Sequence, residues 1–264
     1  MNYKIFLATT LLSLSTISLC QEKVKLRADS IINNFIEKIG GANWKNLKTR
    51  IEKGVVEYHE SGEHASIIPK SSTRSTYYKA PFHYLDFKDS FFLEKRILCL
   101  RPECNWYYTE KSSMVKFFGS DPIKYRTDFP RTELLEILNL KFKKQVYQVD
   151  SLLRVDFKDS RQKDGIQSLY FSIKTGLLVK RSSLSNNDVL WEFYFSNFRE
   201  NNGLKEAYKI DLFGSGEPYF TISIDSIMYN EELDLSMFDP PVKCRNTDSF
   251  EILDNPYYPS FIKE

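Results

Sequence analysis

The chain holds only three histidines and four cysteines among 264 residues. So small a stock of imidazole and thiol narrows acid–base, metal and nucleophilic chemistry. Two cysteine pairs at zinc spacing do not occur, so no structural zinc site is expected. The Gly-x-Ser-x-Gly turn that presents a nucleophilic serine is missing; Gly214-Ser215-Gly216 lacks its spacing and reads as a turn between strands. A glycine-rich phosphate loop is missing too. Charge of one sign is never blocked: 37 basic and 35 acidic residues leave a net +2, scattered along the chain. Nucleic acid needs a basic face, so it is not an expected partner. No run is apolar enough over the roughly 20 residues that a spanning helix requires.

Two histidine motifs can be set aside. His59-Glu60-Ser61-Gly62-Glu63-His64 has one residue too many for a zinc-binding helix, and Gly62 belongs to a turn. His83, between Phe82 and Tyr84, reads as a half-buried strand residue. Carboxylates are plentiful, so an acidic pair of the hydrolytic kind stays open without being recognisable.

The amino terminus is more informative. Lys4 precedes an apolar stretch from Ile5 to Leu19 that serines and threonines interrupt, the layout of a secretory signal over residues 1–20. Ser18-Leu19-Cys20 offers a cleavage site before Gln21. The other reading makes Cys20 an acylated amino terminus, although Leu19 stands where a small residue is usual. The first reading gives a free periplasmic protein whose membrane contacts are transient. The second gives a tethered one. Cys99 and Cys104 flank Leu100-Arg101-Pro102-Glu103, a hairpin turn, and a bridge across it suits an exported protein. Cys244 is left over, buried or in a tail loop.

About 244 residues then remain, enough for one large domain. Ile32, Phe35, Ile36 and Ile39 fall at i, i+3, i+4 and i+7, so a helix is expected over 24–39, stopped by Gly40-Gly41. From Ile51 the period changes to two. Short alternating runs with turn residues between them continue to Tyr229, an antiparallel meander. Residues 131–140 break the series: after Pro130 comes a dense apolar run with Leu134, Leu135, Ile137 and Leu138, read as a short helix. Four prolines beyond Asp239 point to an irregular tail over 242–264.

Aromatics reach 15%, with 20 Phe and 16 Tyr. They form stripes. Trp191, Phe193 and Phe195 share one face of a strand, as do Phe171 and Ile173, Ile210 and Leu212, and Phe220, Ile222 and Ile224. Either they fill a core or they line a cavity. So many strands curl strongly, and two apolar helices offer little filling. The expectation is a mainly β (α+β) domain over 21–241: a curved, incompletely closed antiparallel barrel of about 11 strands. An N-terminal helix and a short lid helix complete it.

The carboxyl half carries a resemblance. Phe171-Ser172-Ile173-Lys174-Thr175-Gly176-Leu177-Leu178 leads to Phe195-Ser196-Asn197-Phe198-Arg199. Asn202-Gly203-Leu204, Tyr208-Lys209-Ile210 and Ile224-Asp225-Ser226-Ile227-Met228-Tyr229-Asn230 follow, closed by Leu233-Asp234-Leu235-Ser236-Met237-Phe238-Asp239-Pro240-Pro241. With Ile39-Gly40-Gly41-Ala42, these resemble exported proteins of the LolA/LolB-like lipoprotein carrier superfamily, in the branch common in Bacteroidetes. The resemblance implies a half-open barrel whose apolar cavity takes acyl chains. Its lid would carry Ile32, Phe35, Ile36, Leu134, Leu135, Ile137 and Leu138. The ten stripe residues named above would line the cavity. Lipid or lipoprotein acyl chains would be the partners, with envelope proteins beside them. No catalysis, cofactor or metal is implied. The competing readings are an envelope interaction module with a filled barrel and a hydrolase with a hidden site.

Overall fold

The computed structural model describes residues 22–23, 26–59, 71–79, 82–89, 95–100, 105–109, 114–118, 138, 143–158, 166–184 and 189–239. The signal segment, most of 131–140 and the tail from 240 lie outside the described residues.

The elements run β1 (Glu22–Lys23), α1 (Ala28–Lys38), α2 (Gly41–Lys45), β2 (Thr49–Tyr58), β3 (Ser71–Lys79), β4 (Phe82–Asp89), β5 (Lys95–Leu100) and β6 (Asn105–Thr109). They continue with β7 (Met114–Phe118), β8 (Lys144–Val149), β9 (Leu152–Lys158), β10 (Ile166–Ser172), β11 (Leu178–Leu184), β12 (Leu190–Asn201), β13 (Leu204–Gly214) and β14 (Glu217–Tyr229). A 3-10 turn, Leu235–Phe238, follows β14.

All fourteen described strands join one antiparallel sheet in the order β1-β8-β9-β10-β11-β12-β13-β14-β2-β3-β4-β5-β6-β7. The order is a meander except where β14 returns to pair with β2 and where β1 pairs with β8. Its two ends, β1 and β7, do not meet, so the curved sheet stays an open barrel. The expectation of about 11 strands was low, since β1 and β7 are too short or too ambiguous in sequence to be read from alternation.

The helix expected over 24–39 starts later, at Ala28. Glu22 and Lys23 instead pair with Gln148 and Tyr147 at the sheet edge. Arg27 keeps an extended backbone at the helix boundary, and Asp29 in the first turn suits the positive end of the helix. The stop falls where glycine was expected to place it. Gly40 has φ +133°, and a Cβ there would lie 2.5 Å from Leu204 Cδ2 and 2.9 Å from the Gly203 carbonyl. Only glycine lets α1 end so close to the β12–β13 turn.

The register divides the side chains between two faces. Antiparallel partners share a face. Ile222, Ile224 and Ile227 of β14 stand with Val56, Gly54 and Glu52 of β2 on the concave side. Ile31, Ile32, Phe35 and Ile36 of α1 pack against that side, with Phe171, Phe193, Phe195, Ile210 and Leu212, to make the main core. Ile51 and Met228 pair on the convex side. There they join Tyr77, Ile97, Cys99, Trp106 and Tyr108, covered by Leu233, Met237 and Phe238, as a second, smaller core. The sheet is therefore covered from both sides, and β2 belongs to both covers.

Candidate functional site

The concave face is the candidate site, because every residue expected in the cavity except one lies on it. Phe171, Phe193, Phe195, Ile210, Leu212, Ile222 and Ile224 are buried there. Trp191 and Phe220 are partly buried against the same core. Ile173 is the exception and a correction: it is 50% exposed. β10 ends at Ser172, so Ile173 falls in the turn and leaves the stripe that Phe171 continues. Of the expected lid, Ile32, Phe35 and Ile36 are buried on α1, with the Phe35 and Phe171 rings 5.6 Å apart. Leu138 packs against the core, while Leu134, Leu135 and Ile137 lie outside the described residues.

The expected disulfide is also corrected at Cys99. It carries a thiol, not a disulfide sulfur, and is fully buried. The register places it opposite Trp106 on the convex face. Its sulfur donates to the Phe238 carbonyl at 3.4 Å. The side chain is thus committed to the second core rather than to the hairpin; Cys104 lies outside the described residues. His59 is exposed at the end of β2, with its Nε2 2.8 Å from Thr221 Oγ1. Its motif partners from Glu60 to His64 lie outside the described residues.

The two ends of the concave face differ in chemistry. At the end near α2, apolar stripes give way to charge. Arg50, Glu52 and Arg74 are each under 5% exposed. The Arg50 Nη2 lies 2.7 Å from Glu52 Oε2 and 2.7 Å from Glu206 Oε2, and its Nε donates to Glu206 Oε2 at 3.0 Å. Arg74 Nη1 donates to Glu52 Oε1. Two cations and two carboxylates so neutralise one another in the interior. Burial disfavours the Arg50 cation, but the Glu206 and Glu52 carboxylates outweigh it and hold its pKa above the ordinary value. Burial first, and the Glu206 carboxylate next, push the Tyr229 phenol well above its usual range. None of this was read from sequence. Arg50, Glu52 and Arg74 occupy the inward positions of β2 and β3, where alternation alone reads as polar strand faces exposed to water.

A cavity of about 50 Å³ adjoins this quartet, lined on its apolar side by Phe35, Ile39, Trp44, Phe195 and Ile210. It has room for a water molecule or a methyl group. At the opposite end of the face stands a row of half-buried aromatics. Trp191 and Tyr219 rings lie 5.4 Å apart, Tyr219 and Phe220 5.8 Å, and Phe220 and Tyr58 6.4 Å. Gly214 makes this row possible, since a Cβ there would sit 3.0 Å from Trp191 Cζ3. Leu184 and Leu190, paired beside Trp191, are 42% and 38% exposed. Near this end Arg181 is buried; its Nη2 donates to Gln167 Oε1 at 3.1 Å and its guanidinium lies 5.8 Å from the Phe193 ring centroid.

Among the described residues no three His, Cys, Asp or Glu side chains gather as metal ligands. No described helix is long and apolar enough to cross a membrane.

Comparison with solved structures places the fold. A DUF1329 family protein from Desulfovibrio piger superposes with a TM-score of 0.57 at 13% identity, covering 80% of this chain and 96% of that one. A LolA superfamily protein from Nitrosomonas europaea gives 0.55 at 10% identity, over 81% and 98% of the two chains. A domain described as an outer membrane lipoprotein-sorting protein, from Vibrio parahaemolyticus, gives 0.54 at 12%, over 80% and 95%. No family model matches the sequence, and no curated protein matches it. The chain has the fold of the LolA superfamily proteins.

Proposed function

With that fold as premise, we propose that this chain carries a lipid, a lipoprotein acyl chain or another amphiphile in the cell envelope, and that it catalyses no reaction. One observation supports this reading above the others. Among the described residues, the apolar concave face is covered mainly by one eleven-residue helix, with Ile39, Trp44 and Leu47 just after it and Leu138 beside it. The cavity beside the quartet, about 50 Å³, is far below the roughly 300 Å³ at which ligand pockets begin. A tail that lies along this face takes the place of α1.

The energies allow that exchange. Uncovering Ile31, Ile32, Phe35 and Ile36 costs about 1.5–3 kcal/mol each, or roughly 6–12 kcal/mol. An acyl chain returns about 0.8 kcal/mol per methylene, so about fourteen methylenes return roughly 11 kcal/mol. The two occupants of the face are close to balanced, which suits a carrier that must load and release. A ligand of a few carbons cannot displace the helix.

The attachments of α1 favour a swing over a full release. Its C-terminal end is tied by Lys205 N–H donating to the Ile39 carbonyl at 3.0 Å. Its N-terminal end is tied by Lys144 Nζ to Asp29 Oδ1 at 2.6 Å, with the Asp29 side chain 46% exposed. The second tie is the weaker.

The test is native mass spectrometry of the chain purified from its expressing cells without detergent. A bound species that carries acyl chains is expected. A second reading, an interaction module with a permanently filled barrel, draws on the small cavity. It predicts a protein partner and no lipid mass. Intact mass of the exported form also tells removal of residues 1–20 from acylation of Cys20.

A further inference from the structure

The two ends of the concave face assign a direction to the ligand. Resting on the reading that an acyl chain replaces α1 on this face, we propose that the chain lies with its methyl end against the Arg50–Glu52–Arg74–Glu206 quartet and its polar head at the Trp191–Tyr219–Phe220–Tyr58 row.

The quartet end is closed. Arg50, Glu52 and Arg74 are almost wholly buried, and Trp44 of α2 lines the void beside them. A hydrated head placed there sheds its water and competes with ion pairs already made at 2.7 Å. Loss of hydration by an ion costs several kcal/mol and is recovered only with very good geometry. A terminal methyl asks for neither. The cavity of about 50 Å³ at this end is of methyl size, and the part of its lining that stays when α1 swings about its Ile39 end includes Ile39, Trp44, Phe195 and Ile210.

The aromatic end is half open. Trp191, Tyr219 and Tyr58 have apolar bodies with one polar tip each, the side chains that favour a boundary between grease and water. Arg181 and Gln167 bring a cation and an amide to the same end of the inward face: Gln167 pairs with Ser183, the partner of Trp191, and Arg181 lies two residues along from Ser183. They match a carboxylate or ester head. The ends are also separated along the strands. Phe220 to Ile227 spans seven residues, about 23 Å at roughly 3.3 Å per residue. The quartet lies at the far end of that run and so acts as a stop for the tail. It sets which chain lengths fit, while the head is read loosely.

Two tryptophans report on the two ends. Trp191 stands in the aromatic row, Trp44 beside the quartet, and Trp106 in the core on the convex face. The experiment uses three variants of the full chain that each keep one of the three tryptophans, with phenylalanine at the other two. Each is titrated with hexadecanoic acid brominated near the carboxyl or at the terminal carbon. The expected result is that bromine near the carboxyl takes the larger part of the Trp191 emission and spares Trp44. Terminal bromine does the reverse, and Trp106 keeps its emission with both. The opposite order, or equal quenching of Trp44 and Trp191 by both acids, overturns the proposed direction while leaving carriage intact. No binding of either acid, by quenching or by mass, overturns carriage as well.

The unmodified chain supplies a second measurement that does not depend on the variants folding. Spin-labelled stearic acids carrying the nitroxide near the carboxyl or near the methyl end are bound in turn. Access of a water-soluble nickel chelate is then read from relaxation. The label near the carboxyl is expected to be accessible and the one near the methyl end shielded. The reverse result overturns the proposal.

Discussion

The sheet wears two covers, and they are held in different ways. On the concave side α1 is held mainly by apolar contact, through Ile31, Ile32, Phe35 and Ile36. On the convex side the turn around Phe238 is held by directed bonds as well. Trp106 Nε1 donates to the Phe238 carbonyl at 3.0 Å, and the Cys99 thiol donates to the same oxygen at 3.4 Å. Asp234 Oδ1 accepts from Ser236 N–H at 2.9 Å and stiffens the turn. Apolar contact is not directional, so another greasy body of similar volume can replace it. A carbonyl with two donors cannot be replaced by an acyl chain without leaving both donors unmet in the interior. The convex cover is a fixture of the fold, and the concave cover is exchangeable.

The strongest way to break this contrast is to damage the strand that both covers share. Arg50 faces one core and Ile51 the other. Arg50→Ala leaves Glu52 and Glu206 short of their shared cation inside the protein, a loss of about 3–5 kcal/mol. Urea denaturation followed by circular dichroism should show it, with both covers lost in one transition. Replacing Arg50, Glu52, Arg74 and Glu206 together by leucine or methionine should cost much less than Arg50→Ala alone, because no charge is left stranded.

A sharper comparison sets one phenylalanine from each cover side by side. Phe35 and Phe238 are both buried, at 4% and 1% exposure. Each truncation to alanine should cost about 3 kcal/mol. The covers part when a long-chain lipid is added. Phe35→Ala should regain stability, since ligand binding to the native state adds RT ln(1 + [L]/Kd) and the loosened helix concedes the face more readily. Phe238→Ala should regain no more than the unmodified chain does. Melting temperature with and without lipid measures both. Equal rescue of the two variants would refute the contrast.

How much of this could be read beforehand depended on how local the signal was. The helix stripe at Ile32, Phe35, Ile36 and Ile39 and the stop at Gly40-Gly41 follow from spacing alone. So do the inward rows of β12, β13 and β14, because alternation fixes which residues share a face. Ile173 failed because alternation does not say where a strand ends. The quartet failed for a deeper reason. Arg50 and Glu206 are far apart in sequence, and only the return of β14 to β2, with β13 beside it, brings them together. A charged residue at an inward position looks like an outward one until its partner strand is known. Cys99 shows the same limit, since nearness to Cys104 in sequence said nothing about which face its thiol would take. The convex cover was not legible: residues 233–238 carry Leu233, Leu235, Met237 and Phe238, but their reach to the convex face depends on the chain crossing over after Tyr229.

A smaller effect is expected at the joint between α1 and α2. Gly40→Ala places a methyl 2.5 Å from Leu204 Cδ2 at a backbone φ of +133°. Strain of that kind costs about 1–3 kcal/mol. The convex cover is remote from this joint, so Trp106 emission should keep its native maximum while Trp44, on α2, shifts.

The smallest change in stability separates a hinge from a plug. Asp29 and Lys144 form the tie at the N-terminal end of α1, and a pair whose carboxylate is half exposed contributes about 0–1 kcal/mol, although the Lys144 side chain is only 10% exposed. Asp29→Asn should therefore barely move the urea midpoint. Its effect belongs to rate. If α1 swings about the Ile39 end, breaking this pair is the first step of opening, and the variant should take up a fluorescent fatty acid faster than the unmodified chain at low salt. Salt screens partly exposed charges, with a Debye length of about 3 Å at 1 M. The unmodified chain should then approach the variant's rate as salt rises. Should uptake be equally slow in both at every salt concentration, α1 would be a plug fixed by its apolar face, and the two covers would be alike after all.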